Sequence, residues 1–377
     1  METNFINHVA DIKDYRQIWK VKHKLIDILF IAVAGIIANC EGWEEIGMFA
    51  EIKKEWLKKH LELPNGIPSH DTIGRVFENI DVESFNKCFI NWTNEIADRS
   101  KSAIIAIDGK TSRHSFDNEN DRKSIHIVNA WIDSNEIILG QLKTESKSNE
   151  ITAIPKLLEM LFIEGCIITI DAMGTQKDIA EKIVERKGDY ILALKGNHSN
   201  LKEEVKELFE EQKAVNYKDI DSEKIQQKKT VEKGHGRIEK REYCIIEDID
   251  WIADKDKWKG LKSIGMVTST MTTGEETSEE TRYFITSIGC DVELFAKGVR
   301  NHWGVESAHW ILDVIFKEDN SRVRKNNGAV NQSMLRKIAL NMLKTEKVSK
   351  KKMSIKRKRL YASMDENYLE KVIFNKE

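Results

Sequence analysis

The sequence predicts an α/β protein: a central sheet covered on both faces by helices, preceded by a helical N-terminal segment and interrupted by a β-rich stretch. Three observations carry this. Residues 103–107, 166–170 and 190–194 are short continuous apolar runs, the pattern of strands buried on both faces. Amphipathic helical segments stand between the later runs, giving the order β-β-β-α-β-α-β from residue 103 to 194. Residues 225–290 then turn to strand-like alternation.

Taken in order, residues 1–98 read as helical, with apolar positions at helical spacing through 25–38, 43–56 and 73–92. Leu63-Pro64-Asn65-Gly66-Ile67-Pro68 is a turn segment, after which Ser69 or Asp71 can cap a helix carrying Thr72, Arg75 and Phe77. Two helices about a tight turn fit a DNA-reading helix-turn-helix and a plain packing module equally. The run 103–107 ends in Asp108-Gly109, and two strands, 125–132 and 136–142, meet at Asp133-Ser134-Asn135. Ile151, Ile154, Leu158 and Leu161 mark a helix, 166–170 a strand ending in Asp171, Ile179, Ile183 and Val184 a helix, and 190–194 a strand. Residues 201–224 are acidic and helical. The β-rich stretch holds strands at 237–246, 263–270 and 282–287, with Thr273-Gly274 as a turn. Helical pattern returns over 293–345, and residues 344–359 hold nine Lys or Arg against one Glu.

A chain of 377 residues has room for two or three domains. Apolar residues make up 40% and charged residues 32%, an ordinary globular composition. Lys plus Arg (60) balances Asp plus Glu (62), so a nucleic-acid partner requires local segregation of the basic groups. Five dispersed cysteines without a CxxC pattern point to a reduced, cytoplasmic protein. The apolar run 25–38 is short of the roughly 20 residues of a membrane span and contains Asp27, so it reads as a buried helix.

The chemistry starts from Asp108 and Asp171, each ending a buried strand. Sites in open α/β sheets form beyond the carboxyl ends of strands. If the two strands are neighbours the carboxylates converge, and carboxylates held together need a cation or a proton between them. Hard divalent cations prefer such oxygen ligands. Residues 300–313, wound as a helix, place Val305, Ala308, Leu312 and Ile315 on an apolar face. His302, Glu306, His309, Trp310 and Asp313 fall on the other side. Glu306 is a third candidate carboxylate; a zinc site of His302, Glu306 and His309 is the competing reading.

These residues sit in stretches that resemble one family in order: Ile105-Ala106-Ile107-Asp108-Gly109-Lys110-Thr111, Gly140-Gln141-Leu142-Lys143-Thr144, Lys147-Ser148-Asn149-Glu150-Ile151, Thr169-Ile170-Asp171-Ala172-Met173-Gly174, Leu192-Ala193-Leu194-Lys195-Gly196-Asn197, Gly234-His235-Gly236-Arg237, His302-Trp303 through Asp313-Val314, Glu318-Asp319, Arg322, and Leu335-Arg336-Lys337-Ile338-Ala339-Leu340-Asn341. The set resembles the H-repeat-associated (ISAs-type) DDE transposases of bacterial insertion sequences, and Pro68-Ser69-His70-Asp71-Thr72-Ile73-Gly74-Arg75-Val76-Phe77 resembles their N-terminal associated domain. The resemblance implies a ribonuclease H-like catalytic core with the triad Asp108, Asp171 and Glu306. It divides the chain into a helical N-terminal domain at 1–98, the first part of the core at 99–224, a β-rich insertion at 225–290, C-terminal core helices at 291–345, and a basic tail at 346–377. The wider group carries Arg and Lys around its glutamate; here His302 and Asp313 stand in those places.

The expected activity is hydrolytic cleavage at the ends of an insertion sequence and transfer of the freed 3′-OH into target DNA. Two Mg²⁺ or Mn²⁺ ions about 3.5–4 Å apart would be held by the three carboxylates. Lys110, Lys195, His198, His235, Arg237, Arg322 and Arg324 are candidates to grip phosphates, with His302, Trp303, His309 and Asp313 beside them on the glutamate helix. Trp303 and Trp310 read first as core packing and second as stacking platforms for an unpaired base. Lys350-Lys351-Lys352 and Lys356-Arg357-Lys358-Arg359 are a DNA clamp or a solvated tail. The partners expected are double-stranded DNA, at terminal inverted repeats and target, and a second copy of the chain on DNA, at the nucleoid. A catalytically silent DNA-binding descendant and a nuclease without strand transfer are the alternatives.

Overall fold

A computed structural model of the chain describes residues 5–113, 115–116, 124–144, 150–234, 236–349 and 353–376. Lys147-Ser148-Asn149, His235 and Lys350-Lys351-Lys352 lie outside the described residues. The helical beginning holds α1 (Phe5–His8), α2 (Leu25–Ile37), α3 (Trp43–Ile52), α4 (Lys54–Leu57), α5 (His70–Asn79) and α6 (Val82–Ile96). Then come β1 (Ile104–Thr111), β2 (His126–Ile132), β3 (Ile137–Thr144), α7 (Glu150–Met160), β4 (Ile167–Ile170), α8 (Lys177–Glu185), β5 (Asp189–Leu194) and α9 (Ser199–Ala214). Four long strands follow, β6 (Ile225–Gly234), β7 (Arg237–Ile246), β8 (Ser263–Thr273) and β9 (Glu276–Thr286). The chain closes with α10 (Val292–Val314), α11 (Gly328–Thr345), α12 (Ile355–Met364) and α13 (Glu366–Phe374).

The chain divides into two compact units. One comprises Met1–Asp98, Gly109–Asn149 and Val305–Glu377; the other comprises Arg99–Asp108 and Glu150–Gly304. The first is mostly helical and is built around α2 and α11. Every residue of α2 except Ile26 is buried, so the apolar run that could have suggested a membrane is a core helix. Each of its large side chains contributes roughly 1.5–3 kcal/mol by leaving water. Asp27, in its first turn, is buried too, and desolvation pushes its carboxyl up. Among the described residues no helix is long and apolar enough to cross a membrane. Helix α5 begins where its cap predicts: the Ser69 hydroxyl accepts the Thr72 N–H at 3.3 Å.

Helix α11 is buried along its whole length although it is rich in polar groups. Most of these find a partner that water would otherwise supply, the Asn331 Oδ1 being an exception. Asn341 behaves like a short piece of strand against β3, accepting the Ile138 N–H at 2.9 Å and donating to the Ile138 carbonyl at 2.8 Å. Asn331 donates to the carbonyls of Phe77 and Ile80 at the end of α5.

The second unit is a sheet with helices packed on it. Its strands run in the order β1-β4-β5-β9-β8-β7-β6. β1, β4 and β5 are parallel, and β9 joins β5 antiparallel. From β6 to β9 the strands form antiparallel hairpins; β7, β8 and β9 are buried at the ends nearest the core and exposed at the tips. The core cluster gathers Ile104, Ile167, Ile191, Tyr243, Val267 and Phe284 from the strands with Val292, Phe295 and Ala296 from α10. Two glycines let this helix lie close on the sheet. A Cβ on Gly265 would come within 2.3 Å of the Phe295 ring, and one on Gly298 within 2.4 Å of Ile191.

Two elements differ from the sequence expectation. Residues 225–234 form a strand of their own; IQQKKTVEKG shows no apolar alternation because most of it is exposed on both faces. The segment expected as a basic tail carries α12 and α13, whose buried positions include Leu369, Val372 and, with no exposed surface, Arg359. Arg359 donates to the carbonyls of Ile36, Cys40 and Ile315 and lies 4.3 Å from the Phe316 ring centre, so it is an internal anchor and not a DNA clamp.

Candidate active site

Parallel pairing runs Ile104↔Ile167 through Ile107↔Ile170 between β1 and β4. The next residue on each strand is an aspartate. Neighbouring strands lie about 4.8 Å apart, and residues in register point to the same face. Asp108 and Asp171 therefore stand side by side on adjacent strands, both half-buried. Asp171 follows the end of β4, but β1 runs on past Asp108 to Thr111. Asp108 does not end its strand as the sequence suggested, because the polar residues after it continue the strand. Asp171 caps a short 3-10 turn: its Oδ1 accepts the Met173 N–H at 3.0 Å and the Gly174 N–H at 3.3 Å. Its Oδ2 accepts no hydrogen bond and its carboxylate makes no ion pair among the described residues.

Helix α10 brings His302 to this pair. Its Nδ1 lies 3.0 Å from the Thr169 Oγ1, on the strand that ends in Asp171. Burial pushes the imidazole pKa down, and it does so against the pull of both Asp108 and Asp171. Burial therefore disfavours the charged imidazole beside the aspartate pair.

The loop after β5 buttresses the Asp171 turn. Asn197 donates to the Ala172 carbonyl at 2.7 Å, Thr175 donates to the Ala193 carbonyl at 2.7 Å, and the His198 Nε2 lies 2.7 Å from the Thr175 carbonyl. His198 also meets the Trp258 ring edge-on at 5.1 Å. It is a fixing residue here, whereas Lys195 is exposed beside it and Arg237 is exposed at a hairpin tip. Thr169, Thr175 and Asn197 were not assigned roles from sequence, although each lies in or beside a quoted motif; an uncharged polar residue gives no signal until its partner is known.

Glu306 is exposed on α10, four residues beyond His302. Among the described residues no group of three or more His, Cys, Asp or Glu is gathered to hold a metal ion. That finding supports neither the zinc reading of His302, Glu306 and His309 nor a ready-made cluster of Asp108, Asp171 and Glu306. The His309 Nε2 instead lies 3.0 Å from the Asn129 amide. The donor chemistry of the aspartate pair fits a hard divalent cation: carboxylate oxygens are its preferred ligands, and one carboxylate oxygen of Asp171 is clear of hydrogen bonds.

Lys110 is committed elsewhere, and the remaining candidates are placed differently from one another. Lys110 pairs with Asp313 at 2.5 Å and with Glu318, so the expected phosphate grip is an internal ion cluster. Glu318 accepts the Ser333 hydroxyl at 2.7 Å, and Lys337 donates to Ser333 and Gln141. Burial pushes Glu318 up, but the Lys110, Lys337 and Arg336 charges outweigh it and hold the carboxyl at about 2. Burial lowers Lys337 to about 8. Arg324 lies over the Phe116 ring at 5.0 Å. Arg322 is exposed and lines a cavity of about 670 Å³ with Trp43, Arg75 and Lys325. Trp303 and Trp310 are 41% and 59% exposed, which overturns the core-packing expectation; the Arg282 guanidinium sits 5.3 Å from the Trp303 ring centre.

Adjacent aspartates on parallel strands beside a buried histidine form a candidate site, and comparison with known proteins gives its class. The family model described as Transposase DDE domain matches residues 99–342, and the one described as DDE_Tnp_1-associated matches residues 6–93. "H repeat-associated putative transposase YhhI" of Escherichia coli (strain K12) is 44% identical over 374 residues, 98% of this chain and 97% of that one. "Putative transposase YncI" of Escherichia coli O157:H7 is 44% identical over 375 residues, 98% of this chain and 94% of that one. A chain of the piggyBac transposase synaptic complex with hairpin DNA aligns at 11% identity over 98% of this chain and 77% of its own with a TM-score of 0.46, too loose a likeness to carry a conclusion. The chain belongs to the DDE transposases, in their H repeat-associated group.

Proposed function

We propose that the chain is an active DNA transposase with a ribonuclease H-like core, cutting at insertion-sequence ends and joining the freed 3′-OH to target DNA. The observation that carries this is the register that sets Asp108 beside Asp171. Glu306 completes the triad in this reading. It lies about one helical turn from His302 on the same side of α10, and His302 feels the field of both aspartates. Asp108, Asp171 and Glu306 would hold a pair of divalent ions, Mg²⁺ or Mn²⁺. Bound there, the ions supply charge neutralisation for in-line displacement at phosphorus and acidify the attacking group.

The chain's own groups orient and exclude. The Met173 and Gly174 N–H groups fix one oxygen of Asp171 and leave the other directed outward. Thr169 fixes His302 beside the aspartate pair. In the first reaction water breaks the P–O3′ bond and frees a 3′-OH. In the second, that hydroxyl attacks a target phosphodiester and displaces a target 3′ oxygen. Lys195, Arg237, Arg322 and Arg324 are proposed phosphate contacts on double-stranded DNA, and exposed Trp303 and Trp310 are proposed base contacts. Residues 1–98 are proposed to assist in binding DNA.

The test uses Asp108→Asn, Asp171→Asn and Glu306→Gln on duplexes carrying the element's terminal repeat, with Mg²⁺ or Mn²⁺. All three should lose nicking and end-joining while DNA affinity persists. Nicking retained by Glu306→Gln would remove it from the triad. Wild-type nicking without joining would mark a nuclease, and DNA binding without either reaction a silent descendant.

A further inference from the structure

Among the described residues, two patches in residues 1–98 are left uncovered, and they complement each other. The first is the 3-10 turn Ile18–Lys20. Ile18 is 88% and Trp19 80% exposed, the largest exposures of big apolar side chains among the described residues. A tryptophan left in water at this level commonly marks an interaction site. The second patch is one face of α3, where Met48 and Ile52, a helical turn apart, are 64% and 75% exposed. They border a groove of about 620 Å³ closed by Gly47, Pro68, Ser69 and His70.

The charges around the patches have opposite sign. Lys20 and Lys22 flank the Ile18-Trp19 turn, and Glu44 and Glu51 rim the groove. All four are exposed, and among the described residues none of their side chains has an ion-pair or hydrogen-bond partner. An apolar tooth between lysines and an apolar groove between glutamates, carried by one chain, fit a second copy of that chain. Reciprocal exchange about a twofold axis would satisfy both patches on both copies and leave no open end for a filament.

We propose that this chain self-associates by seating Ile18 and Trp19 of each copy on Met48 and Ile52 of the other, with Lys20 and Lys22 facing Glu44 and Glu51. The contact stands independently of the catalytic reading, because none of its residues belongs to the proposed triad.

Sedimentation velocity on the full-length protein without DNA tests it. The wild type should dimerise in a concentration-dependent way. Trp19→Glu should weaken the dimer by about 30-fold or more, as loss of an interfacial tryptophan does. Its folded-state circular dichroism should not change, because Trp19 touches solvent. Ile18→Ser serves as a second, uncharged variant. Reversing Lys20 and Lys22 to Glu should also break the dimer, and adding Glu44→Lys with Glu51→Lys should restore it. A monomeric wild type, a dimer indifferent to Trp19→Glu, or a failure of the second reversal to rescue the first would each overturn the proposal. So would a Trp19→Glu protein that loses DNA affinity with its association intact.

Discussion

Two acidic sites in this molecule are handled in opposite ways. Glu318 sits 3% exposed against Lys110, with Lys337 and Arg336 close enough to hold its pKa near 2. Its charge is cancelled inside the protein by groups the chain carries. Asp171 is half-buried at a strand end, and backbone N–H groups orient one of its oxygens. Among the described residues no cationic side chain pairs with it. Burial with an internal counter-charge makes a carboxylate structural; orientation without one leaves it able to take a cation from outside. Identity of side chain does not separate the two cases, and sequence distance to a lysine does not either.

The largest expected effects exchange the two sites. Asp171→Asn should lower metal-dependent DNA cleavage on the order of 10³-fold, the scale of removing one electrostatic contact to a transition state, with little change in unfolding free energy. Glu318→Gln should do the reverse, costing stability while sparing the cleavage chemistry of whatever protein remains folded. Parallel urea unfolding and nicking assays would show which loss goes with which residue.

Lys110→Met comes next. It leaves Asp313 and Glu318 facing each other without their shared ammonium. A broken buried pair costs roughly 3–5 kcal/mol, readable as a shift of the urea midpoint.

Acid stability is the third test. The folded Glu318 pKa, about 2, lies below the ordinary glutamate value of 4.5. Its contribution is therefore present above pH 4.5 and fades as pH falls toward 2. The span corresponds to about 3 kcal/mol. The Glu318→Gln protein should lack this part of the acid limb; an identical limb in both proteins would mean the cluster carries no net stabilisation.

Ser69→Ala should have the smallest effect, about 1 kcal/mol, because one N-cap bond to Thr72 is lost from an otherwise intact α5.

Much of the fold was legible because its signals are local. The apolar runs before Asp108 and Asp171 could be read as buried strands, and the matching place of each aspartate after its run suggested convergence, although β1 continues past Asp108 to Thr111. The turn at Asp133-Ser134-Asn135 and the cap at Ser69 were readable for the same reason. What stayed hidden depended on partners far along the chain. Lys110 looks like a phosphate ligand until Asp313 and Glu318, about 200 residues later, are seen beside it. Arg359 counts as surface charge until the carbonyls of Ile36 and Cys40 appear around its guanidinium. Trp303 and Trp310 counted as core because indoles usually are, yet their helix turns them outward. Residues 225–234 gave no strand pattern because most of that strand buries neither face.

The Arg359 anchor has a consequence for how the molecule comes into being. Its bonds to Ile36 span 323 positions of sequence, and the unit they close is threaded from three separate pieces of chain. During synthesis α2, the most apolar helix, must wait for nearly the whole polypeptide to emerge before its last carbonyls find their donor. Long-range closure of this kind slows folding and exposes apolar surface meanwhile. Pulsed hydrogen exchange during refolding should register amide protection in the sheet of the second unit ahead of protection in α2.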